Sequence, residues 1–93
     1  MDDHRLIFRV HAVQRMFERG ITEIEIRAIL TDPTVVEAYP LEVPYPTRLL
    51  LGWADTRPLH IVVAEPDPTT TIILTVYEPD PRRWDAALRH RLP

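Results

Sequence analysis

The stretch PLHIVVAEPDPTTTIILTVYE, residues 58–78, decides the fold, because it contains two strand-like runs and a turn between them. PLHIVVAE and TTIILTVYE are rich in β-branched residues, and the intervening PDPT is turn-forming and of hairpin length. The run before them, TRLLLGW at residues 47–53, is joined by ADTR, a second turn-forming sequence. These three runs predict an antiparallel meander.

Further towards the N-terminus, TVVEAY at residues 34–39 predicts a fourth strand. It is followed by PLEVPYP at residues 40–46, whose prolines favour a rigid crossing loop or a sheet edge. LIFRV at residues 6–10 alternates too briefly to decide between a short strand and a lead-in.

Two helices are predicted between these segments. HAVQRMFERG, residues 11–20, places one apolar stripe on a helix that ends at Gly20; the stripe is Ala12, Val13, Met16 and Phe17. Thr22 and Glu25 then form a capping box for a second helix, which ends at Asp32-Pro33. The two helices predict a helical hairpin.

The C-terminal segment PDPRRWDAALRHRL, residues 79–92, predicts a final short helix with Trp84, Ala87 and Leu88 on its inner side. The whole order predicts a single α+β domain over residues 1–93. In it, an N-terminal helical hairpin packs on an antiparallel β-meander, and a short C-terminal helix follows.

The faces of this sheet follow from two assumed registers. If Glu65 pairs with Thr70, His60 lies opposite Thr75, with Tyr77 one diagonal step away. If Trp53 pairs with Pro58, one face carries Leu49, Leu51, Trp53, His60, Val62, Ala64, Ile73, Thr75 and Tyr77. The other face is the expected core under the helices, with Leu50, Gly52, Leu59, Ile61, Val63, Ile72, Leu74 and Val76.

His60, Thr75 and Tyr77 are the candidate catalytic residues. A histidine exchanges a proton near neutral pH and a tyrosine donates one or stabilises charge, so this group suits acid–base chemistry without a metal. The alternative is that the His60 ring bonds Thr75 and completes a second, smaller core.

His11, Arg15 and Arg19 are the candidate anion-binding residues, because they follow one another at intervals of one helical turn. Guanidinium groups one turn apart can hold a phosphate or a carboxylate. The alternative is an ordinary solvated helix face on which Arg15 pairs with Glu18.

The composition excludes several kinds of chemistry. The chain has no Cys, Ser, Lys or Asn, which rules out disulfides, cysteine-ligated zinc, serine or cysteine nucleophiles and lysine Schiff bases. Its four histidines lack metal-ligand spacing and its two glycines form no phosphate loop, so we expect neither a metal site nor a cofactor.

Charge and hydropathy limit the partners. A net charge of −3 argues against non-specific nucleic-acid binding by the whole surface, although residues 4–20 carry four arginines against Glu18 alone. No apolar run approaches the length of a membrane span, and the N-terminus lacks the order of a signal peptide. We therefore expect a cytoplasmic protein without a membrane partner.

Several motifs in order resemble the bacterial family called domain of unknown function 4258: HAVQRMFERGIT, a proline-rich break, LLLG, PLHIVVA and ILTVYEPD, ending near Trp84. Such proteins are often encoded beside antitoxins and are similar to RelE-like messenger-RNA interferases. The resemblance implies a RelE-like arrangement of helices on an antiparallel sheet and metal-independent RNA cleavage. His60 would be the acid or base, Tyr77 its partner, and Arg15 and Arg19 phosphate contacts.

Two functions follow as hypotheses. The first is a toxin-like, metal-independent endoribonuclease that acts on RNA and is held in check by an antitoxin protein. The second is a non-catalytic binding or regulatory domain, whose half-apolar sheet face with Leu49, Leu51 and Trp53 docks a protein partner or a second copy to form a homodimer.

Overall fold

A computed structural model describes residues 4–93. In chain order its elements are β1 (Arg5–Phe8), α1 (Val10–Arg19), α2 (Glu23–Leu30), β2 (Thr34–Tyr39), β3 (Thr47–Ala54), β4 (Arg57–Asp67) and β5 (Thr70–Tyr77). Within this part of the chain, neither helix is long and apolar enough to cross a bilayer.

The five strands form one mixed sheet in the order β1-β5-β4-β3-β2. Strand β1 runs parallel to β5, whereas the other neighbours are antiparallel. The prediction of an N-terminal helical hairpin on a purely antiparallel meander is therefore wrong, because a strand precedes the helices. The first three residues of the LIFRV run belong to that strand, which pairs with the edge of β5 and packs the partly buried Leu6 and Phe8 against the core.

The end of α1 and the start of α2 lie where their local chemistry predicts. Gly20 ends α1 in the left-handed conformation, with φ of 65°. Thr22 and Glu25 form the predicted capping box at the start of α2. Arg57 of β4 donates hydrogen bonds to the carbonyls of Arg19 and Gly20, so the open end of α1 is fixed to the sheet.

The core lies between the helices and one face of the sheet. Contacts run from α1 to β5 and from α2 to β3. Its buried members come from both layers: Ala12, Met16, Ile21, Ile26, Ile29, Leu50, Ala54, Leu59, Ile61, Val63, Ile73 and Val76. The helices therefore cover the predicted core face of β3 and β4.

The register of β5 differs from the prediction. Trp53 pairs with Pro58 as predicted, but His60 pairs with Tyr77 rather than with Thr75. The β4–β5 pairing is irregular on both sides of the segment formed by Val63 and Ala64. As a result the side chain of Ile73 points into the core, where the prediction had placed Ile72 and Leu74. A bulge changes which face the following side chains occupy, and no residue type in this run marks its position.

The predicted C-terminal helix is absent from the structure, which shows turns after β5. We call residues 80–92 the C-terminal loop. The Asp85 side chain accepts hydrogen bonds from the amides of Arg89 and His90, and Leu88 has a positive φ of 61°. Aspartate bonds of this kind stabilise turns in place of a helix, and a left-handed residue ends one.

Candidate functional site

His60 is fully buried at the centre of the sheet face opposite the helices. It lies between Leu51 of β3 and Tyr77 of β5. The ring centroids of Tyr77 and Trp84 are 5.3 and 4.6 Å away, both in edge-to-face geometry. Trp84 belongs to the C-terminal loop and is itself buried, so this loop closes over the histidine.

Both ring nitrogens of His60 have a partner. Nε2 lies 2.8 Å from the carbonyl oxygen of Leu88, and Nδ1 lies 3.2 Å from the phenolic oxygen of Tyr77. A carbonyl only accepts, so Nε2 carries a hydrogen and donates it to Leu88. In the neutral ring Nδ1 is then an acceptor, and the Tyr77 hydroxyl donates to it.

The surroundings favour this neutral pair. Burial lowers the pKa of His60, and the hydrogen bond to the Leu88 carbonyl opposes that shift only in part. Burial raises the pKa of the Tyr77 phenol, which the nearby Arg91 guanidinium partly offsets. At neutral pH the histidine is therefore an uncharged acceptor and the tyrosine a protonated donor.

The C-terminal loop is held by an ion pair with the edge strand β2. The Arg91 guanidinium donates two hydrogen bonds, of 3.2 and 3.0 Å, to the Glu37 carboxylate, which also accepts one from the Tyr39 hydroxyl. The same guanidinium lies 4.6 Å from the ring centroid of Trp84. These bonds lower the pKa of Glu37, so the clasp between Arg91 and Glu37 persists as a charged pair at neutral pH.

Beside the clasp a groove of about 340 Å³ opens over the Tyr77 side chain. We call it the Tyr77 groove; its lining consists of Tyr77, Glu78, Asp80, Arg83, Trp84 and Arg91. Asp80 pairs with Arg82 and Glu78 with Arg57, whereas the Arg83 side chain has no ion pair within residues 4–93. The groove thus combines a phenol, two guanidinium groups and two carboxylates, which is a set suited to binding and cleaving a phosphodiester.

The predicted catalytic group is only partly assembled. His60 and Tyr77 are in contact, as the sequence suggested, but Thr75 pairs with Val62 and is not hydrogen-bonded to the ring. The predicted alternative, a histidine that completes a second small core, matches the burial of the ring. Its partners are nevertheless Tyr77 and Leu88 rather than Thr75.

The predicted anion-binding residues lie apart from this cluster. His11 and Arg19 are exposed on α1 and Arg15 is half-exposed, on the helix layer at the other face of the sheet. Arg15 makes a 3.5 Å ion pair with Glu18, as the solvated-face interpretation predicts. The His11, Arg15 and Arg19 line and the His60 face are therefore two separate places.

Sequence reasoning missed Arg83, Arg91 and the Leu88 carbonyl. All three lie in the segment that the sequence assigned to a helix, which hid their convergence on β5. Arg91 is separated from Glu37 by 54 positions, so no local spacing connects the two residues. The only sequence signal is the proline-flanked arginine pair of PDPRRW beside the end of the last strand.

The half-apolar sheet face is not the open docking surface that the binding hypothesis expected. Leu49 and Leu51 are buried, and of the three predicted docking residues only Trp53 is exposed. Helix α1 carries a separate group of exposed apolar side chains, Val10, Val13 and Phe17, of which Phe17 is 90% exposed. Over residues 4–93 no three His, Asp or Glu side chains gather in a way that would hold a metal ion.

A comparison with protein families assigns the larger part of this chain to one of them. The family model described as Domain of unknown function (DUF4258) matches residues 8–78. The chain belongs to this family. No curated protein and no solved structure matches it. His60 and Tyr77 lie within the family segment, whereas Leu88, Trp84 and Arg91, which cover them, lie outside it.

Proposed function

We propose that the protein is a toxin-like, metal-independent endoribonuclease whose reaction takes place in the Tyr77 groove. The observation that carries this proposal is the hydrogen-bonded chain from Tyr77 through His60 to Leu88, which opens into a groove with two arginines. RNA is proposed as the substrate because the sequence motifs imply a RelE-like interferase, and an antitoxin is the protein partner that the same motifs imply.

The chemistry uses the 2′-hydroxyl of the RNA as nucleophile. Its oxygen forms a bond to the neighbouring phosphorus while the bond to the 5′-oxygen breaks, which leaves a 2′,3′-cyclic phosphate and a 5′-hydroxyl. Glu78 takes the 2′-hydroxyl proton. The Tyr77 hydroxyl turns away from Nδ1 of His60 and gives its phenolic proton to the departing 5′-oxygen. A phenol serves this role because the alkoxide that it protonates is the stronger base.

The remaining residues stabilise the charge of the transition state or orient the Tyr77 hydroxyl. The guanidinium groups of Arg83 and Arg91 stabilise the negative charge that develops on the phosphoryl oxygens. His60 has no solvent contact and does not touch the substrate, so it is a positioning residue that orients the Tyr77 hydroxyl through Nδ1. This assignment moves the acid from His60 to Tyr77.

The test is cleavage of a labelled single-stranded RNA in EDTA, with product ends analysed by mass. Tyr77→Phe removes the proton donor and keeps the ring, so we expect a rate loss of about 10²-fold or more. Arg83→Gln should lower the rate about 10²-fold. Its matched control is Arg82→Gln, because Arg82 does not line the groove and its side chain is 88% exposed.

The outcome decides between the two functions. Cleavage that Tyr77→Phe and Arg83→Gln reduce and that Arg82→Gln leaves unchanged supports the nuclease. Intact RNA with folded wild-type protein refutes it. The binding hypothesis then gains weight, and the exposed Phe17 favours α1 as its surface. Light scattering of wild type and Phe17→Gln tests that second function, because a dimer that buries Phe17 should dissociate in the variant.

A further inference from the structure

A second groove lies on the same sheet face as Tyr77. We call residues 40–46 the proline loop, and the cavity of about 250 Å³ beneath it the proline-loop groove. Its floor comes from Ala64 of β4 and Leu74 of β5, and its wall from the proline loop with Tyr45. Arg9, which precedes α1, reaches the mouth of the same groove. This small cavity therefore has apolar side chains at its base and a charged side chain, Arg9, at its opening.

The polar side chains of this groove are free of internal partners. Arg9, Glu42, Tyr45 and Thr47 make no side-chain hydrogen bond or ion pair with any other part of residues 4–93. Most other charged side chains of the sheet are paired, as in the contact between Arg48 and Glu65 with bonds of 2.6 and 2.9 Å. Four unpaired donors and acceptors around one cavity leave hydrogen-bonding capacity for a ligand.

The combination of groups selects the ligand class. A fatty acid would need a cation and an apolar cavity, but it would leave Glu42 and Thr47 without a role. A metal ion would need several carboxylates, and Glu42 is the single one in the lining. A nucleobase has apolar faces and an edge of donors and acceptors, and it stacks on aromatic rings such as that of Tyr45.

We propose that the proline-loop groove binds one unpaired base of a single-stranded RNA, stacked on Tyr45, and that Arg9 contacts the adjoining phosphate. The inference rests on the proposed nuclease function and adds a base-binding subsite to it. Leu74 is three residues from Tyr77 along β5, so the backbones of the two residues are roughly 10 Å apart. Both grooves therefore lie along β5, within reach of one short stretch of single-stranded RNA.

Binding is measured apart from cleavage. A fluorescein-labelled random RNA of about ten nucleotides is titrated with Tyr77→Phe protein, which removes the proposed proton donor. In this background Arg9→Gln and Tyr45→Leu should each weaken binding about fivefold or more, since stacking of a base on an aromatic ring is worth about 1–3 kcal/mol. Arg5→Gln is the matched control, because Arg5 does not line the groove and its loss should change affinity less than about twofold.

An RNA with abasic sites separates base binding from attraction to the phosphates. The proposal expects that Tyr45→Leu weakens binding of the normal RNA but not of the abasic one. Equal losses on both RNAs, or equal effects of Arg9→Gln and Arg5→Gln, would overturn it.

Failure of the subsite and failure of the nuclease are distinguishable. Cleavage with unchanged sequence preference in Tyr45→Leu would refute the subsite while the nuclease stands. Selective binding in this groove by a protein that cuts no RNA would refute the nuclease while the subsite stands.

Discussion

The side chains of His60 and Tyr77 project from directly paired positions of β4 and β5, with Nδ1 and the phenolic oxygen 3.2 Å apart. The opposite ring nitrogen of His60 donates a hydrogen bond to the carbonyl of Leu88, a residue of the C-terminal loop with a positive φ. Strand and loop are therefore connected through one imidazole ring. Substitutions at His60 affect the folded structure as well as any reaction at Tyr77.

We expect His60→Ala to destabilise the protein by about 3 kcal/mol, since it opens a cavity under Trp84 and leaves the Leu88 carbonyl without its donor. For a domain of this size each 1 kcal/mol lowers the melting temperature by about 4–8 °C. Urea denaturation of wild type and variant measures the loss. Tyr77→Phe, which keeps the packing, should lose only about 1 kcal/mol. A loss of less than about 1 kcal/mol for His60→Ala would show that the ring is not a structural centre.

Stability should fall as the pH is lowered from about 7.5 to about 5.5. Burial holds the pKa of His60 below its ordinary 6.5, so the unfolded chain binds the proton at a higher pH than the folded chain does. The contribution of His60 is therefore complete above the unfolded pKa and is lost as the pH falls towards the folded pKa. Carboxylates with a lowered pKa, such as Glu37, reduce stability only at lower pH, below their ordinary pKa of 4.5.

Urea midpoints at several pH values in this window test the prediction. His60→Gln should show a flatter pH dependence than wild type, because it removes the titrating group that burial keeps neutral. Parallel curves for the two proteins would mean that another group causes the change.

Local chemistry explains which parts of the fold the sequence predicted. The helix ends at Gly20 and Thr22 depend on backbone geometry and on hydrogen bonds within three residues. The tight β3–β4 turn fixes the pairing of Trp53 with Pro58, so the register followed from counting. These features need no knowledge of distant contacts.

The wrong predictions concern parts of the fold whose structure depends on contacts between residues far apart in the sequence. The short β1 run becomes a strand only because β5 offers it an edge. Likewise, the C-terminal segment has a helix-like pattern, but Asp85, Leu88 and the Arg91–Glu37 clasp hold it in turns. The same reason explains why only part of the candidate site was predicted. His60 and Tyr77 lie on predicted strands, whereas Arg83 and Arg91 lie on the C-terminal loop and were missed.

Breaking the clasp should loosen the C-terminal loop without unfolding the domain. Glu37→Gln removes the charge that Arg91 binds, and an ion pair of this exposure contributes about 1 kcal/mol or less to global stability. We expect faster hydrogen exchange at the Leu92 amide, which donates to Arg83, and at the Asp85 amide, which donates to His90.

Glu23→Gln is the control for the clasp, because it breaks the exposed ion pair with Arg27 on α2 instead. It should leave exchange in the C-terminal loop unchanged. If the two variants alter the loop amides equally, the clasp does not hold the loop.

The contact between Gly52 and Ile29 should make the β3 glycine intolerant of any side chain. A Cβ at Gly52 would lie 2.2 Å from Cγ2 of Ile29, so Gly52→Ala forces α2 away from the sheet and should cost about 1–3 kcal/mol in urea denaturation. Gly20→Ala has open space around its Cβ and suffers only from its positive φ, at about 1 kcal/mol. Ile29→Ala removes Cγ1 and Cγ2, the two atoms nearest the added Cβ, so its loss of stability should be smaller in the Gly52→Ala background than in wild type. Additive losses in this double mutant would show that Gly52 does not act through Ile29.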